Sequence, residues 1–191
     1  KTDDWHFRLY FSEKAKTVIA NLFIQNGINQ KNEFIVGFAP GGSTENRWWP
    51  AECFAKLAEH LAEKYKARIF LLGVGKDEKP INEILRLVKP EIRCVNLLNQ
   101  PLDEFKAFVA HTDLVVGNDS GPMVTADAFD VANIVLVGPT NPCEYHRLPG
   151  PLNRVVVAGD RIMASISLQN VITEVDSVLG VLQKSSSIDK M

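Results

Sequence analysis

Residue types that bind anions follow an apolar, β-branched run near the middle of this 191-residue sequence. Residues 114–117 lead into the polar turn Asn-Asp-Ser-Gly-Pro at 118–122, and a helix-like segment follows. The order strand, tight turn, helix directs backbone N–H groups and the positive end of a helix dipole at one point. Asp119 and Ser120 are helix-capping types, and Pro122 fits a first helical turn. The pattern predicts an anion site, with a plain capped β–α turn as the alternative.

A second unit of this kind occurs earlier in the chain. The apolar residues 34–39 lead into a glycine-rich loop at 40–44, and a helical pattern covers 51–66. Glycine allows backbone N–H groups to close on an anion, and Arg47 adds a positive charge just before the helix. The loop has neither the Gly-Lys-Ser/Thr of a Walker A motif nor a Gly-x-Gly-x-x-Gly fingerprint. A phosphate site is predicted, and an ordinary β–α turn stays open.

Composition and charge narrow the class of protein. Apolar residues make up 46% and charged residues 23%, which is typical of a globular domain with a core. The net charge of −2 gives no electrostatic footprint for nucleic acid, so we expect no nucleic-acid partner. Cys53, Cys94 and Cys143 are odd in number and far apart, which is typical of free thiols. With the four histidines also lacking ligand spacing, no metal site is predicted.

Apolar runs alternate with helical periods along the chain, and these patterns must position the two loops. Strands are predicted at 34–39, 67–73, 92–95, 114–117, 133–137 and 154–158, and helices at 12–25, 51–66, 78–89, 103–111, 121–129 and 167–182. Continuously apolar strands that alternate with helices indicate an α/β fold with a Rossmann-like, doubly wound parallel sheet. Ligands bind at the carboxyl ends of such strands. The loops expected there are 40–49, 73–78, 96–102, 118–122 and 138–143.

Four short motifs follow one another along the chain, and together they are more specific than any one of them. They are Pro-Gly-Gly-Ser with Arg-Trp-Trp-Pro within 40–50, Val-Gly-Asn-Asp-Ser-Gly-Pro-Met at 116–123, Val-Gly-Pro-Thr-Asn-Pro at 137–142 and Met-Ala-Ser-Ile-Ser at 163–167. Over residues 34–183 the sequence resembles the carboxyl-terminal half of glycosyltransferase family 9, the lipopolysaccharide heptosyltransferases. The resemblance implies one half of a GT-B fold, in which two Rossmann-like domains face each other across a cleft.

The resemblance also implies a function for each part of the chain. Residues 34–183 would bind a nucleotide-sugar donor of the ADP-heptose type for an inverting glycosyltransferase of lipopolysaccharide core biosynthesis, without a cofactor. Residues 1–33 would form a connector helix and linker, and 184–191 a flexible tail. An amino-terminal domain outside these residues would bind the lipid-linked saccharide acceptor and supply the catalytic base, so we expect this chain alone to be inactive. The enzyme would work in the cytoplasm, at the periphery of the inner membrane.

Site residues follow from the resemblance by motif position. Arg47 matches the basic residue that faces the donor phosphates, and Asp119 begins the turn whose backbone cradles the diphosphate. Asp77 or Glu78 lies in the loop that offers a carboxylate to the nucleoside. The full set of predicted substrate-binding residues is Gly41, Gly42, Ser43, Arg47, Asp77, Glu78, Asp119, Ser120, Gly121, Pro122, Met123 and Thr140.

Two positions depart from the family pattern and keep other functions open. Val124 stands where family members usually carry histidine, and Trp48 stands where a second basic residue is usual. A degenerate nucleotide-binding or interaction module is one alternative, and half of a GT-B-fold sugar epimerase is another. The order of the motifs disfavours the epimerase. At least one of Trp48 and Trp49 is expected to pack against a helix, and the residue type of Met123 favours the core.

The segment beyond the last glycine-bearing loop carries a polar cluster. Glu144, His146 and Arg147 lie close together in the sequence there. They would either contact the sugar or be solvated.

Overall fold

The computed structural model describes residues 8–141 and 150–188, with side chains described as far as residue 183. All strand pairs are parallel, and the strands form one sheet in the order β3-β2-β1-β4-β5-β6. The strands are β1 (Ile35–Ala39), β2 (Arg68–Gly73), β3 (Cys94–Leu98), β4 (Leu114–Asn118), β5 (Ala132–Val137) and β6 (Asn153–Val157). The chain runs from β1 to one edge and then returns to β4 beside β1. This is the predicted doubly wound, Rossmann-like sheet.

Helices cover both faces of the sheet. They are α1 (Glu13–Gln25), α2 (Ala51–Tyr65), α3 (Glu78–Leu87), α4 (Leu102–Ala110), α5 (Gly121–Ala128) and α6 (Leu168–Ile188). Side chains of α2, α3 and α6 form one buried cluster with one face of the strands, and those of α1, α4 and α5 form a second cluster with the other. Both faces of β1 and β4 are covered, so every residue of these two strands is buried, and apolar residues predominate in them.

Helix α1 is part of this packing. Ala15, Ile19 and Phe23 recur at a helical spacing and are buried in the second cluster. Ser12 caps the helix by accepting a hydrogen bond from the Ala15 N–H, and its own hydroxyl donates to Asp103 of α4 at 2.7 Å. The helix predicted to connect two domains therefore lies against this one, and its role as a connector stays a prediction.

The predicted bounds of two elements were wrong. Strand β3 spans Cys94–Leu98 rather than 92–95, so the first three residues of the loop predicted at 96–102 are strand. The strand lies at the sheet edge, where the exposed Asn96 interrupts the apolar pattern and accepts the Leu98 N–H. Helix α6 continues to Ile188, where a flexible tail from residue 184 was predicted. No helix of the described residues is both long and apolar enough to cross a membrane.

Candidate functional site

A cleft of about 940 Å³ opens at the carboxyl ends of the strands, where the loops after β1, β2 and β4 meet. It lies at the point where the chain changes direction between β1 and β4, the usual ligand site in this type of sheet. All of the predicted substrate-binding residues line the cleft except Glu78 and Met123. The structure therefore gathers residues that are almost 100 positions apart in the sequence.

Asn118 holds both ends of the whole loop after β1, residues 40–49. Its side chain is fully buried at the end of β4. The Nδ2 group donates to the carbonyls of Pro40 (2.6 Å) and Gly41 (3.1 Å), and Oδ1 accepts the Trp49 N–H at 3.0 Å. Trp49 is itself buried, and its indole N–H donates to the Ile166 carbonyl, which confirms that at least one of the two tryptophans packs in the core. Asn118 was absent from the predicted site residues.

Arg47 and Asp119 form an ion pair in the cleft wall. The Nη2 atom of Arg47 lies 2.7 Å from Oδ2 of Asp119 and also donates to the Asp119 carbonyl at 2.6 Å. Nη1 donates to the Ser43 hydroxyl, and the Thr140 hydroxyl donates to the same Asp119 oxygen at 2.7 Å. The side chains of the pair are 22% and 10% exposed, so solvent screens them little. This network joins the loops after β1, β4 and β5.

Helix α5 begins at the cleft, as predicted. Ser120 is its N-cap residue, but the Ser120 hydroxyl donates to the Asn118 carbonyl and makes no capping bond. Pro122 stands in the first turn. The Met123 side chain is buried in the core, its N–H donates to the Ser120 carbonyl, and it lies outside the cleft lining, so its predicted contact with substrate stays a prediction. The first turn of a helix leaves N–H groups without intrahelical partners, and here that turn faces the cleft.

The environment of Asp77 differs from the one predicted for a residue that binds the nucleoside. Its carboxylate is buried, and it accepts hydrogen bonds from the backbone N–H of Gly42 (3.2 Å) and of Val74 (2.9 Å). It therefore joins the loops after β1 and β2. Glu78 is exposed at the start of α3 and lies outside the cleft lining. The Gly42 N–H, predicted to face a phosphate, is occupied by this carboxylate.

Part of the cleft wall is apolar, and sequence reasoning missed it. The wall contains Leu72, Val74, Leu102, Phe105 and Val124. Val74 and Leu102 are more than half exposed, although large apolar side chains are usually buried. Their positions directly after β2 and at the start of α4 were the available signal, because both positions lie at the binding edge of the sheet.

Four polar residues of the lining were also missed as site residues, and one of them, Thr125, belongs to α5. The other three, Lys76, Gln100 and Asn141, belong to the loops after β2, β3 and β5. The predicted polar cluster of Glu144, His146 and Arg147, and also Cys143, lie outside the described residues.

The lining offers two kinds of contact to a ligand. The polar end of the cleft carries the first turn of α5 and the Ser43 hydroxyl, which suit an anion, and the Arg47–Asp119 pair joins the loops there. The apolar wall suits a flat or aliphatic group. The cleft can therefore hold an elongated molecule that is anionic in one part and apolar in another.

The strand order, the two-sided helical cover and the position of the cleft define a Rossmann-like α/β domain. Comparison with known proteins defines its relationship more closely. The family model described as glycosyltransferase family 9 (heptosyltransferase) matches residues 4–170, so this chain belongs to that family.

Similar proteins include both curated relatives and solved structures. The chain is 32% identical over 146 residues to lipooligosaccharide heptosyltransferase 2 of Campylobacter jejuni, which covers 69% of this chain and 46% of that protein. E. coli ADP-heptose lps heptosyltransferase II has a similar structure, with a TM-score of 0.77 and 28% identity, over 93% of this chain and 54% of that one. The chain spans about half the length of the curated relatives it matches.

A more distant structure shares the fold. E. coli heptosyltransferase WaaC with ADP-2-deoxy-2-fluoro heptose matches with a TM-score of 0.64 and 22% identity, over 83% of this chain and 47% of that one. The match to about half of each heptosyltransferase structure agrees with the predicted fold class, one Rossmann-like half of a GT-B fold.

Proposed function

We propose that this chain is the donor-binding half of an inverting, heptosyltransferase-like glycosyltransferase of lipopolysaccharide biosynthesis. The observation that carries the proposal is the meeting of the α5 N-terminus, Ser43 and Arg47 in one cleft at the switch point of the sheet. Membership of glycosyltransferase family 9 supports the reaction class. An ADP-heptose type of donor is supported by the relative described as an ADP-heptose lps heptosyltransferase.

The donor would lie along the cleft with its diphosphate at the polar end. Backbone N–H groups at Ser120 and Gly121 would donate to phosphate oxygens, and the Ser43 hydroxyl would supply a further hydrogen bond. The base would lie against Val74, Leu102 and Phe105 in the apolar wall. A volume of about 940 Å³ accommodates a ligand of this size.

The chemical contribution of this half would be electrostatic. An acceptor hydroxyl attacks the anomeric carbon, the bond from that carbon to the diphosphate oxygen breaks, and negative charge grows on the departing nucleoside diphosphate. Preorganised donors at such a position are worth about 2.7–4 kcal/mol each in other enzymes. The catalytic base and the lipid-linked acceptor site would belong to a further, amino-terminal domain, at the cytoplasmic face of the inner membrane.

Calorimetric titration of the chain with ADP, UDP, GDP and dTDP tests the donor site. We expect ADP to bind most tightly, and we expect Arg47→Ala to weaken its binding at least tenfold, because the variant removes the group that joins the loops after β1 and β4. Arg154→Ala is the matched control, since Arg154 also pairs with a carboxylate, Glu174 at 2.9 Å, but lies outside the cleft. Equal ADP affinity in the Arg47 variant and the parent would contradict the proposal.

A second candidate function is a degenerate nucleotide-binding or interaction module. It is favoured by Val124, which makes the wall beside α5 apolar where the family usually has histidine. The same titration separates the two candidates. Failure of the parent chain to bind any of the four nucleotides would favour the interaction module over the donor-binding half.

A further inference from the structure

Four charged side chains line the described part of the cleft, and their formal charges cancel. The cations are Arg47 and Lys76, and the carboxylates are Asp77 and Asp119. Asp77 is committed to two backbone N–H groups. A bound diphosphate is strongly anionic, so its binding depends on which of the two cations is available to neutralise it.

The charge of Arg47 is already matched at close range. Its guanidinium makes three hydrogen bonds, two of them to Asp119, and its Nε atom is buried without a hydrogen-bond partner among the described residues. Two opposite charges at 2.7 Å offset each other, so Arg47 presents less positive charge to a phosphate than an arginine without an acidic partner would. Movement of Arg47 toward a ligand would break these bonds. In this arrangement Arg47 organises the loops, and its charge is partly offset.

The charge of Lys76, unlike that of Arg47, is not matched by a described neighbour. Lys76 is exposed, it lines the cleft, and it forms no ion pair or hydrogen bond with any residue in the described part of the chain. Lys79, three residues further on, shows the contrast. Its ammonium group lies 2.7 Å from Glu45 and 5.9 Å from the centre of the Trp48 ring, so its charge is matched by a neighbouring carboxylate.

The backbone that carries Lys76 is firmly held. Lys76 is the middle residue of a 3₁₀ turn at Gly75–Asp77. The Asp77 side chain accepts the Val74 N–H on one side of this turn and the Gly42 N–H of the glycine-rich loop on the other. The Lys76 Cα atom is thus fixed relative to the glycine-rich loop, which also carries Ser43, while the flexible four-carbon stem leaves the ammonium group free to adjust.

From this combination we propose that Lys76 is the cation that binds the diphosphate of the donor. The inference rests on the proposed function and assigns to that site a residue that the motif analysis did not include. A lysine ammonium acts on a phosphate as an adaptable point charge, and hydrogen bonds between charged groups are the strong ones. Lys76 would therefore discriminate ligands by the presence of the diphosphate, whereas the apolar wall would contact the nucleoside.

The test is titration of the chain and its Lys76→Gln variant with ADP and with adenosine at low salt. We expect the variant to lose about tenfold in ADP affinity and to keep its adenosine affinity. We also expect the parent's ADP affinity to fall more steeply with NaCl concentration than the variant's. Lys79→Gln is the matched control and should bind ADP within twofold of the parent. Lys76→Arg should restore most of the lost affinity.

Two results would overturn the inference while the donor site stands. One is a Lys76→Gln variant that binds ADP within twofold of a parent that binds it well. The other is an equal loss of ADP and adenosine affinity, which would mean that the substitution damages the cleft as a whole. A parent chain that binds neither ADP nor the other nucleotides would instead overturn the donor site, and the assignment of Lys76 with it.

Discussion

The requirement for glycine at position 41 comes from a carboxylate. A Cβ atom on Gly41 would lie 2.0 Å from Oδ1 of Asp77, whereas one on Gly42 would have its closest neighbour, Cδ1 of Trp48, at an ordinary 3.5 Å. Sequence reasoning attributed both glycines to close approach of an anion. The structure instead assigns Gly41 to the packing of a buried acid that joins two loops.

Substitution of the two adjacent glycines should therefore have unequal effects. We expect Gly41→Ala to lower the free energy of unfolding by about 1–3 kcal/mol, because the new methyl group overlaps a buried and hydrogen-bonded side chain. Gly42→Ala, the control, should change it by less than about 0.5 kcal/mol. Urea denaturation followed by circular dichroism measures both values, and equal stability of the two variants would contradict the role given to Asp77.

Among the secondary-structure elements, α6 is fastened to α2 through one carboxylate. Asp176 of α6 accepts hydrogen bonds from His60 Nε2 (2.8 Å), Lys64 Nζ (2.7 Å) and the Tyr65 hydroxyl (2.8 Å). Partial burial acts to raise the pKa of Asp176, but the hydrogen bonds from these three groups outweigh it and hold the pKa below its ordinary value. The ionised form of Asp176 is therefore favoured by folding.

This attachment should make stability depend on pH. The unfolded chain takes up a proton at the ordinary carboxyl pKa, above the lowered pKa of folded Asp176. The stabilisation is thus present above the ordinary pKa, near 4, and is lost as pH falls through the native value. We expect Asp176→Asn to reduce the loss of stability between about pH 5 and pH 2 in thermal unfolding. A variant that loses stability as steeply as the parent would show that Asp176 carries no such linkage.

For the whole molecule, the strand order determines where the cleft lies. Successive strands run outward from β1 in one direction and from β4 in the other, so the loops after these neighbours diverge. The network from Ser43 through Arg47 and Asp119 to Thr140 then holds three of the loops together. The cleft is a product of topology, and its polar end is a product of these side chains.

The sheet and the general place of the site could be predicted because they depend on local patterns. Apolar strands, helical periods and four motifs are each readable over short windows. The pairing of Arg47 with Asp119 and the tie from Asp77 to Gly42 could not be predicted, since they join residues 72 and 35 positions apart. The apolar wall was missed for a similar reason, because Val74 and Leu102 come to line one cleft only when the parallel strands align.

The most direct test of a nucleotide-sugar site in this cleft is an NMR titration of the ¹⁵N-labelled chain with ADP. We predict that the largest amide shift changes occur at Ser43, Lys76, Ser120 and Gly121, around the polar end of the cleft. Residues of the small hollow between β6 and α6, such as Val157 and Thr173, should not respond. Shift changes confined to that hollow, or none at saturating ADP, would contradict the assignment of this cleft as the donor site.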